Sequence, residues 1–126
     1  MGASGTQAET VMVVEDDANL AELVATELEI DGFHVETAQD GQVALDKMKR
    51  HPPDVIVLDL RLPGIDGLQV VRSCRENPET QRVPIIVTSG SHDALCERDL
   101  ESLVYLQKPY SMDILIALVE DAVDSV

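Results

Sequence analysis

The sequence predicts an α/β domain in which helices cover both faces of a parallel β-sheet. Short apolar runs rich in β-branched residues alternate with amphipathic segments along the whole chain, without internal repeats or a low-complexity linker. Hydrophobic residues make up 44% of the 126 residues, yet the aromatic ones are only two tyrosines and one phenylalanine. The core must therefore consist of valine, leucine, isoleucine and alanine, a composition typical of strands buried on both faces.

The first half of the chain carries three predicted strands and two predicted helices. Residues 11–14 form the first apolar run, and the helix after it repeats apolar residues at helical spacing until Asp31-Gly32. The second strand covers 34–38, and Asp40 is placed to cap a short amphipathic helix. Every residue of 55–58 is apolar, which predicts a strand in the centre of the sheet.

The second half continues the alternation to the end of the chain. A helix is predicted after the turn at 62–64, and Pro84 opens a fourth strand over 85–87. A weak helix over 93–100, a fifth strand over 103–107 and a last helix capped by Ser111 complete the pattern. Right-handed crossovers make such strands parallel, and open sheets of this kind bind ligands outside the carboxyl ends of their strands.

Charge and hydropathy exclude several classes of partner. The chain has 9 basic and 24 acidic residues, so its net charge of −15 should repel nucleic acid and anionic membranes. No apolar run approaches the ~20 residues that cross a bilayer, and residues 1–9 do not resemble a signal peptide. We therefore expect a cytoplasmic protein, with a flexible arm or cloning remnant over 1–9 and one folded domain over 10–126. The three histidines are predicted to be surface residues in no common cluster.

Polar residues end or follow four of the predicted strands. They are Glu15, Asp16, Asp59, Thr88 and Lys108. Two carboxylates ~4 Å apart repel by about 4 kcal/mol at an effective dielectric of ~20, so acids gathered at this edge hold protons or require a cation. Mg²⁺, or Mn²⁺ in its place, takes oxygen ligands and commonly joins one or two carboxylates to a phosphate oxygen. The strand ends therefore predict a site for phosphoryl chemistry.

Each of these residue types has a role in phosphoryl transfer. An aspartate can act as the nucleophile, so Asp59 would attack phosphorus while Asp16 holds the metal. The transition state mainly needs charge neutralisation and placement of the nucleophile, which Lys108 and the Thr88 hydroxyl would supply at the phosphoryl oxygens. Acids after a strand often cap the next helix, which can be the whole role of Asp17 and would be an equal alternative for Glu15 and Asp16 if Asp59 and Lys108 were absent. Asp66-Gly67 is predicted to form a turn and start a helix.

Four blocks of the sequence resemble the receiver domains of two-component response regulators. They are VVEDD at 13–17, DLRLPGIDG at 59–67, PIIVTS at 84–89 and KP at 108–109. Each block is weak by itself, but all four occur in the order of the family and each lies at the end of a predicted strand. The resemblance covers residues 10–124 and implies a doubly wound, flavodoxin-like (βα)5 fold with strand order 2-1-3-4-5.

The resemblance also assigns the site. It implies phosphorylation of Asp59, with Mg²⁺ bound by Asp16, Asp59 and the backbone carbonyl of Arg61, and with Glu15 acting through water. It further implies a cis peptide bond before Pro109, although only about 5–6% of such bonds in folded proteins are cis.

A switch residue and the partners follow from the same resemblance. Tyr105 occupies the position of an aromatic switch whose rotamer follows Thr88, although an ordinary half-buried sheet tyrosine is an equal alternative. A histidine kinase or histidine phosphotransfer protein would donate the phosphoryl group. The signal would leave through the face formed by the fourth helix, fifth strand and fifth helix, towards a downstream protein or an output domain. The chain would be a stand-alone receiver or part of a longer regulator or hybrid kinase.

Two other functions compete with the receiver. A haloacid-dehalogenase-type phosphatase also has an aspartate nucleophile after an apolar strand, but that family has a second aspartate two residues later, where this chain has Arg61. A phosphorylation-independent interaction module should lack one of the acids, Asp59 or Lys108, and this chain keeps them all. We therefore predict a protein that catalyses only its own phosphorylation and dephosphorylation, rather than an enzyme with a separate substrate.

Overall fold

The structure, a computed structural model, describes residues 8–90 and 103–124. The strands are β1 (Thr10–Val14), β2 (His34–Ala38), β3 (Val55–Asp59), β4 (Ile85–Ser89) and β5 (Leu103–Gln107). The helices in these residues are α1 (Ala18–Ile30), α2 (Gly41–Arg50), α3 (Gly67–Glu76) and α4 (Met112–Asp124). None of these helices is long and apolar enough to cross a bilayer. The helix predicted over 93–100 lies outside the described residues.

The five strands form one parallel sheet in the order β2-β1-β3-β4-β5, which confirms the predicted doubly wound fold. The predicted strands are all present, and β3 and β4 each extend to the polar residues at their ends. Because all strands run in one direction, their carboxyl ends lie along the same edge of the sheet. β2 and β5 are the two edge strands.

Two hydrophobic cores lie on opposite faces of the sheet. Met12 and Val14 of β1 point to the core covered by α2 and α3, whereas Val11 and Val13 point to the core covered by α1 and α4. All five residues of β3 and of β4 are buried. Burying one such side chain stabilises the fold by about 1.5–3 kcal/mol, so the uninterrupted apolar runs hold these strands in the middle of the sheet.

Aspartate side chains cap the N-termini of α1, α2 and α3. The Asp17 carboxylate accepts hydrogen bonds from the backbone N–H groups of Asn19 and Leu20, at 3.0 and 3.2 Å. Asp66 and Gln69 form a reciprocal capping box at the start of α3. These contacts confirm that Asp17 caps a helix and that Asp66 starts one. They fix the starts of α1 and α3, at Ala18 and Gly67.

Gly67, the first residue of α3, packs against the end of β3. A Cβ atom at this position would lie 2.5 Å from the Cα atom of Leu60 and 2.9 Å from the carbonyl oxygen of Asp59. Both atoms are backbone, so a side chain can fit only if the chain beside Asp59 moves. We expect Gly67→Ala to lower the free energy of unfolding by about 3 kcal/mol and the melting temperature by roughly 10 °C, measured by circular dichroism.

Gly90→Ala is the matched control for this prediction. A Cβ atom at Gly90 would meet no atom of residues 8–90 and 103–124 within 4 Å, and the backbone there does not require a glycine. Its melting temperature should therefore stay within a few degrees of the wild-type value. This corresponds to a change in the free energy of unfolding of no more than about 0.5 kcal/mol. Equal melting temperatures for the two variants would contradict the close packing at Gly67.

Candidate functional site

The carboxyl ends of four strands bring the predicted site residues to one edge of the sheet. Glu15 directly follows β1, and Asp59 is the last residue of β3. Thr88 of β4 pairs with Asp59 in the sheet register. The N–H group of Lys108, the residue after β5, donates a hydrogen bond to the Ser89 carbonyl oxygen at 2.8 Å. The site is thus assembled by sheet geometry from segments that are far apart in the sequence.

Three carboxylates gather at this edge. One oxygen from each of Glu15, Asp16 and Asp59 lies within 4.8 Å of the others. Glu15 and Asp59 are buried, at 4% and 5% exposure, and Asp16 is exposed. Within the described residues they are the only group of three potential metal ligands at this spacing. Buried carboxylates this close repel each other strongly unless a cation lies between or beside them.

Lys108 supplies one such cation. Its Nζ atom donates hydrogen bonds to Glu15 Oε1 at 2.8 Å and to Asp59 Oδ2 at 3.1 Å. Burial of the ammonium opposes its charge, but the hydrogen bonds and the charges of the two carboxylates outweigh this effect and raise the pKa of Lys108. Lys108 therefore remains charged while it bridges the acids that end β1 and β3.

Backbone contacts orient the Asp59 side chain. The N–H group of Arg61 donates to Asp59 Oδ1 at 2.9 Å, while Asp59 Oδ2 accepts from Lys108. Both carboxylate oxygens are thereby held at defined positions before any ligand is bound. The Arg61 side chain is exposed, so the contact of this residue with the site is made through its backbone.

Both oxygens of the Glu15 carboxylate are also hydrogen-bonded. Its Oε2 atom accepts the Asp17 N–H at 3.1 Å and its Oε1 atom accepts from Lys108. Burial nevertheless raises the pKa of Glu15 above its ordinary value of 4.5, and the nearby Asp59 charge adds to the increase. The folded state consequently binds a proton at Glu15 more tightly than the unfolded state does.

This difference in proton binding makes a prediction for metal-free protein. As the pH falls from neutral through the raised pKa of Glu15 towards 4.5, its protonation should stabilise the folded state, because a raised pKa favours folding at low pH. Glu15→Gln cannot take up this proton, so the unfolding free energy of wild type relative to the variant should increase as the pH falls from 7 to 5. Urea unfolding of both proteins in the presence of EDTA measures this difference in unfolding free energy. A difference that does not change with pH would contradict the burial of Glu15.

Thr88 lies beside Asp59 with a free hydroxyl. The residue is 1% exposed, and its carbonyl oxygen accepts the N–H of Leu60 at 3.0 Å. Its side chain makes no hydrogen bond within residues 8–90 and 103–124 of the structure. Buried hydroxyls are usually hydrogen-bonded, so this one is available to a ligand oxygen at the site.

Tyr105 and Pro109 lie on the β5 side of the site. Tyr105 is half-buried against the core under α2 and α3, and its hydroxyl donates to the Ser89 carbonyl oxygen at 3.4 Å. The Lys108–Pro109 peptide bond is cis in the structure. Tyr105 is therefore in contact with the backbone of the residue next to Thr88.

Tyr110 is near the site and was missed by the sequence analysis. Burial raises the pKa of its phenol, and the charges of Lys108, Glu15 and Asp59 also act on it. Its ring packs against the core under α1 and α4. The only signal in the sequence was its position two residues after Lys108, which by itself indicates no role.

The donor atoms at this site fit a hard divalent cation. Mg²⁺ prefers oxygen ligands and is usually held by one or two carboxylates together with water and phosphate oxygens. The Glu15, Asp16 and Asp59 cluster offers oxygens only, with one exposed member that leaves the site open to solvent. Neither histidine nor cysteine belongs to the cluster, so the site does not favour zinc.

Comparison with known proteins assigns the chain to a family. The model of the response regulator receiver domain matches residues 11–120. The chain belongs to the receiver domains of two-component response regulators. Staphylococcus aureus response regulator ArlR is 36% identical over 107 residues, which cover 85% of this chain and 49% of that protein. The chain thus spans about half the length of the curated relatives it matches.

Solved receiver structures have the same fold. The receiver domain of the Francisella response regulator 1452 superposes with a TM-score of 0.82 at 30% identity, covering 93% of this chain and 98% of that one. A sensor protein from Polaromonas superposes with a TM-score of 0.85 at 27% identity, covering 94% and 98%. Membership of the receiver family confirms the resemblance inferred from the four sequence blocks and removes the haloacid-dehalogenase-type alternative.

Proposed function

We propose that this receiver accepts a phosphoryl group on Asp59 from a phosphohistidine, carried by a histidine kinase or a histidine phosphotransfer protein. The observation that carries the proposal is the Asp59 carboxylate, which lies 3.1 Å from the Lys108 ammonium and in one cluster with Glu15 and Asp16. A nucleophilic carboxylate, a cation and free oxygen ligands thus meet at the edge where parallel sheets bind their ligands.

The chemical step exchanges one bond to phosphorus for another. A carboxylate oxygen of Asp59 attacks the phosphorus, the bond between phosphorus and the donor imidazole nitrogen breaks, and its electron pair remains on that nitrogen. The Arg61 N–H holds the carboxylate in one orientation during the attack. Lys108 and the Thr88 hydroxyl contact the phosphoryl oxygens, which carry most of the charge in the transition state.

The carboxylate cluster would hold Mg²⁺, with Mn²⁺ as a substitute. Asp16, Asp59 and the backbone carbonyl of Arg61 would be ligands, and Glu15 would act through a water molecule. When bound, the ion neutralises the phosphoryl oxygens and the carboxylates together. Lys108 already holds Glu15 and Asp59 side by side, so the two buried acids are arranged before the ion binds.

The signal would pass from Asp59 through Thr88 to Tyr105. The Thr88 hydroxyl turns towards the new phosphoryl group, and the Tyr105 ring follows into the space beside it. This movement would alter the face that includes β5 and α4, to which a downstream protein or an output domain binds. The third part of that face, predicted over 93–100, is outside the described residues.

The function is tested by intact-mass spectrometry after incubation with a small-molecule phosphodonor such as acetyl phosphate. We expect one phosphoryl adduct in the presence of Mg²⁺ and none after chelation with EDTA. The adduct should survive acid and be lost in base, as expected for an acyl phosphate. If no adduct forms with either Mg²⁺ or Mn²⁺, the chain is a phosphorylation-independent interaction module.

A further inference from the structure

A cleft opens at the opposite end of the sheet from Asp59. It has a volume of about 390 Å³ and lies between the starts of β1 and β2 and the last turn of α2. The residues that line it are Thr10, Met12, His34, Glu36, Lys47, Arg50 and His51. The volume falls within the range of about 300–1,000 Å³ that is typical of small-molecule sites.

The cleft is cationic, although the chain carries a net charge of −15. Lys47 and Arg50 are two of only nine lysines and arginines in the whole chain. Glu36 is the only acid among the described residues that line the cleft, and it already contacts the His34 ring at 3.1 Å. His34 and His51 are exposed, as predicted, and both line this cleft because α2 returns its end to the β2 edge.

Two of these groups have no hydrogen-bond or ion-pair partner among the described residues. The Arg50 guanidinium and the His51 ring make no hydrogen bond or ion pair within the part of the chain that the structure describes. Lys47, in contrast, donates to the Thr37 carbonyl oxygen of β2 at 2.6 Å. Cations in the last turn of a helix interact favourably with the helix dipole, which would account for basic residues at the end of α2. The dipole acts on Lys49 in the same way, although Lys49 does not line the cleft, so it does not explain why the other cations do.

The floor of the cleft is formed by β1, where Met12 is 1% exposed and Thr10 is half-buried. A ligand in the cleft would therefore be held mainly by a few polar groups that orient it. A guanidinium is suited to this role, because its fork of N–H donors matches the paired oxygens of a carboxylate, sulfonate or phosphate.

We propose that this cleft binds a small organic anion, with its acidic group at Arg50 and His51. The surrounding negative charge of the chain would oppose such a ligand at low salt. At physiological ionic strength the Debye length is about 8 Å, so the adjacent cations decide the interaction. The site is independent of Asp59 and of phosphorylation.

The test is a titration of the full chain with naphthalene-1-sulfonate at physiological ionic strength, followed by amide chemical shifts. We expect the largest shifts at residues 34–36 and 47–51. Arg50→Gln should weaken binding about tenfold or more, because a hydrogen bond to a charged group is lost. Lys49→Gln removes the same charge from the same helical turn outside the cleft, and should change the affinity less than about twofold.

Three results would overturn the proposal. They are the absence of shifts at 34–36 and 47–51 at millimolar ligand, equal losses in the Arg50 and Lys49 variants, and equal affinity for the neutral analogue naphthalene-1-methanol. The second result would mean a general charge effect, and the third would mean an apolar pocket without anion selectivity. Asp59→Asn should bind the sulfonate as wild type does, so a failure of the proposed phosphorylation leaves this test intact.

Discussion

Asp59→Asn is expected to abolish phosphoryl uptake. The substitution keeps the size of the side chain but replaces the carboxylate with an amide, whose oxygen is a far weaker nucleophile. It also replaces one of the three carboxylates of the cluster with Glu15 and Asp16 by a neutral amide. Intact-mass spectrometry with a small-molecule phosphodonor and Mg²⁺ should therefore detect no adduct on the variant, while wild type accumulates one.

Asp46→Asn provides the matched control. Asp46 is an exposed residue of α2, where its side chain accepts only a hydrogen bond from Gln42 at 3.1 Å. The same chemical change at this position should leave the adduct unchanged. A stoichiometric adduct on the Asp59 variant would place the acceptor elsewhere and contradict the proposed function.

Lys108→Met should slow phosphoryl uptake by about 10²–10³-fold, the usual effect of removing one group that stabilises charge in the transition state. Methionine retains much of the length of the side chain but cannot donate to Asp59 or to a phosphoryl oxygen. Because Asp59 itself remains, the final adduct should still form after long incubation. Quenched time points analysed by mass spectrometry give the rate.

Lys49→Met makes the same change in the last turn of α2, away from the site, and should react at the wild-type rate. An unchanged rate for Lys108→Met would show that the ammonium only neutralises Glu15 and Asp59 in the resting protein. No adduct at any time, together with a changed amide spectrum, would instead mean that the buried acids require Lys108 for the fold around them.

The sequence by itself determined the strands and the residues at their ends. The runs at 55–58 and 85–87 are apolar at every position, and only a strand covered on both faces buries all of them. Parallel strands end at one edge, so an acid after β1, Asp59 after the apolar run of β3 and Lys108 after β5 all lie along that edge. Local sequence patterns were enough to predict these features. The strands follow from the spacing of apolar residues, and the common edge follows from the parallel direction of the strands.

Only the tertiary structure decided which atoms touch. Lys108 bonds to Glu15 across 93 positions of sequence, and nothing local to either residue shows that this carboxylate, rather than Asp16, is the partner. The contact of Gly67 with the backbone of Leu60 and the shared cleft of His34 and His51 depend equally on how helices lie on the sheet. Such contacts depend on distances of a few ångströms between packed elements. The sequence of one segment does not determine these distances, so it does not predict the contacts.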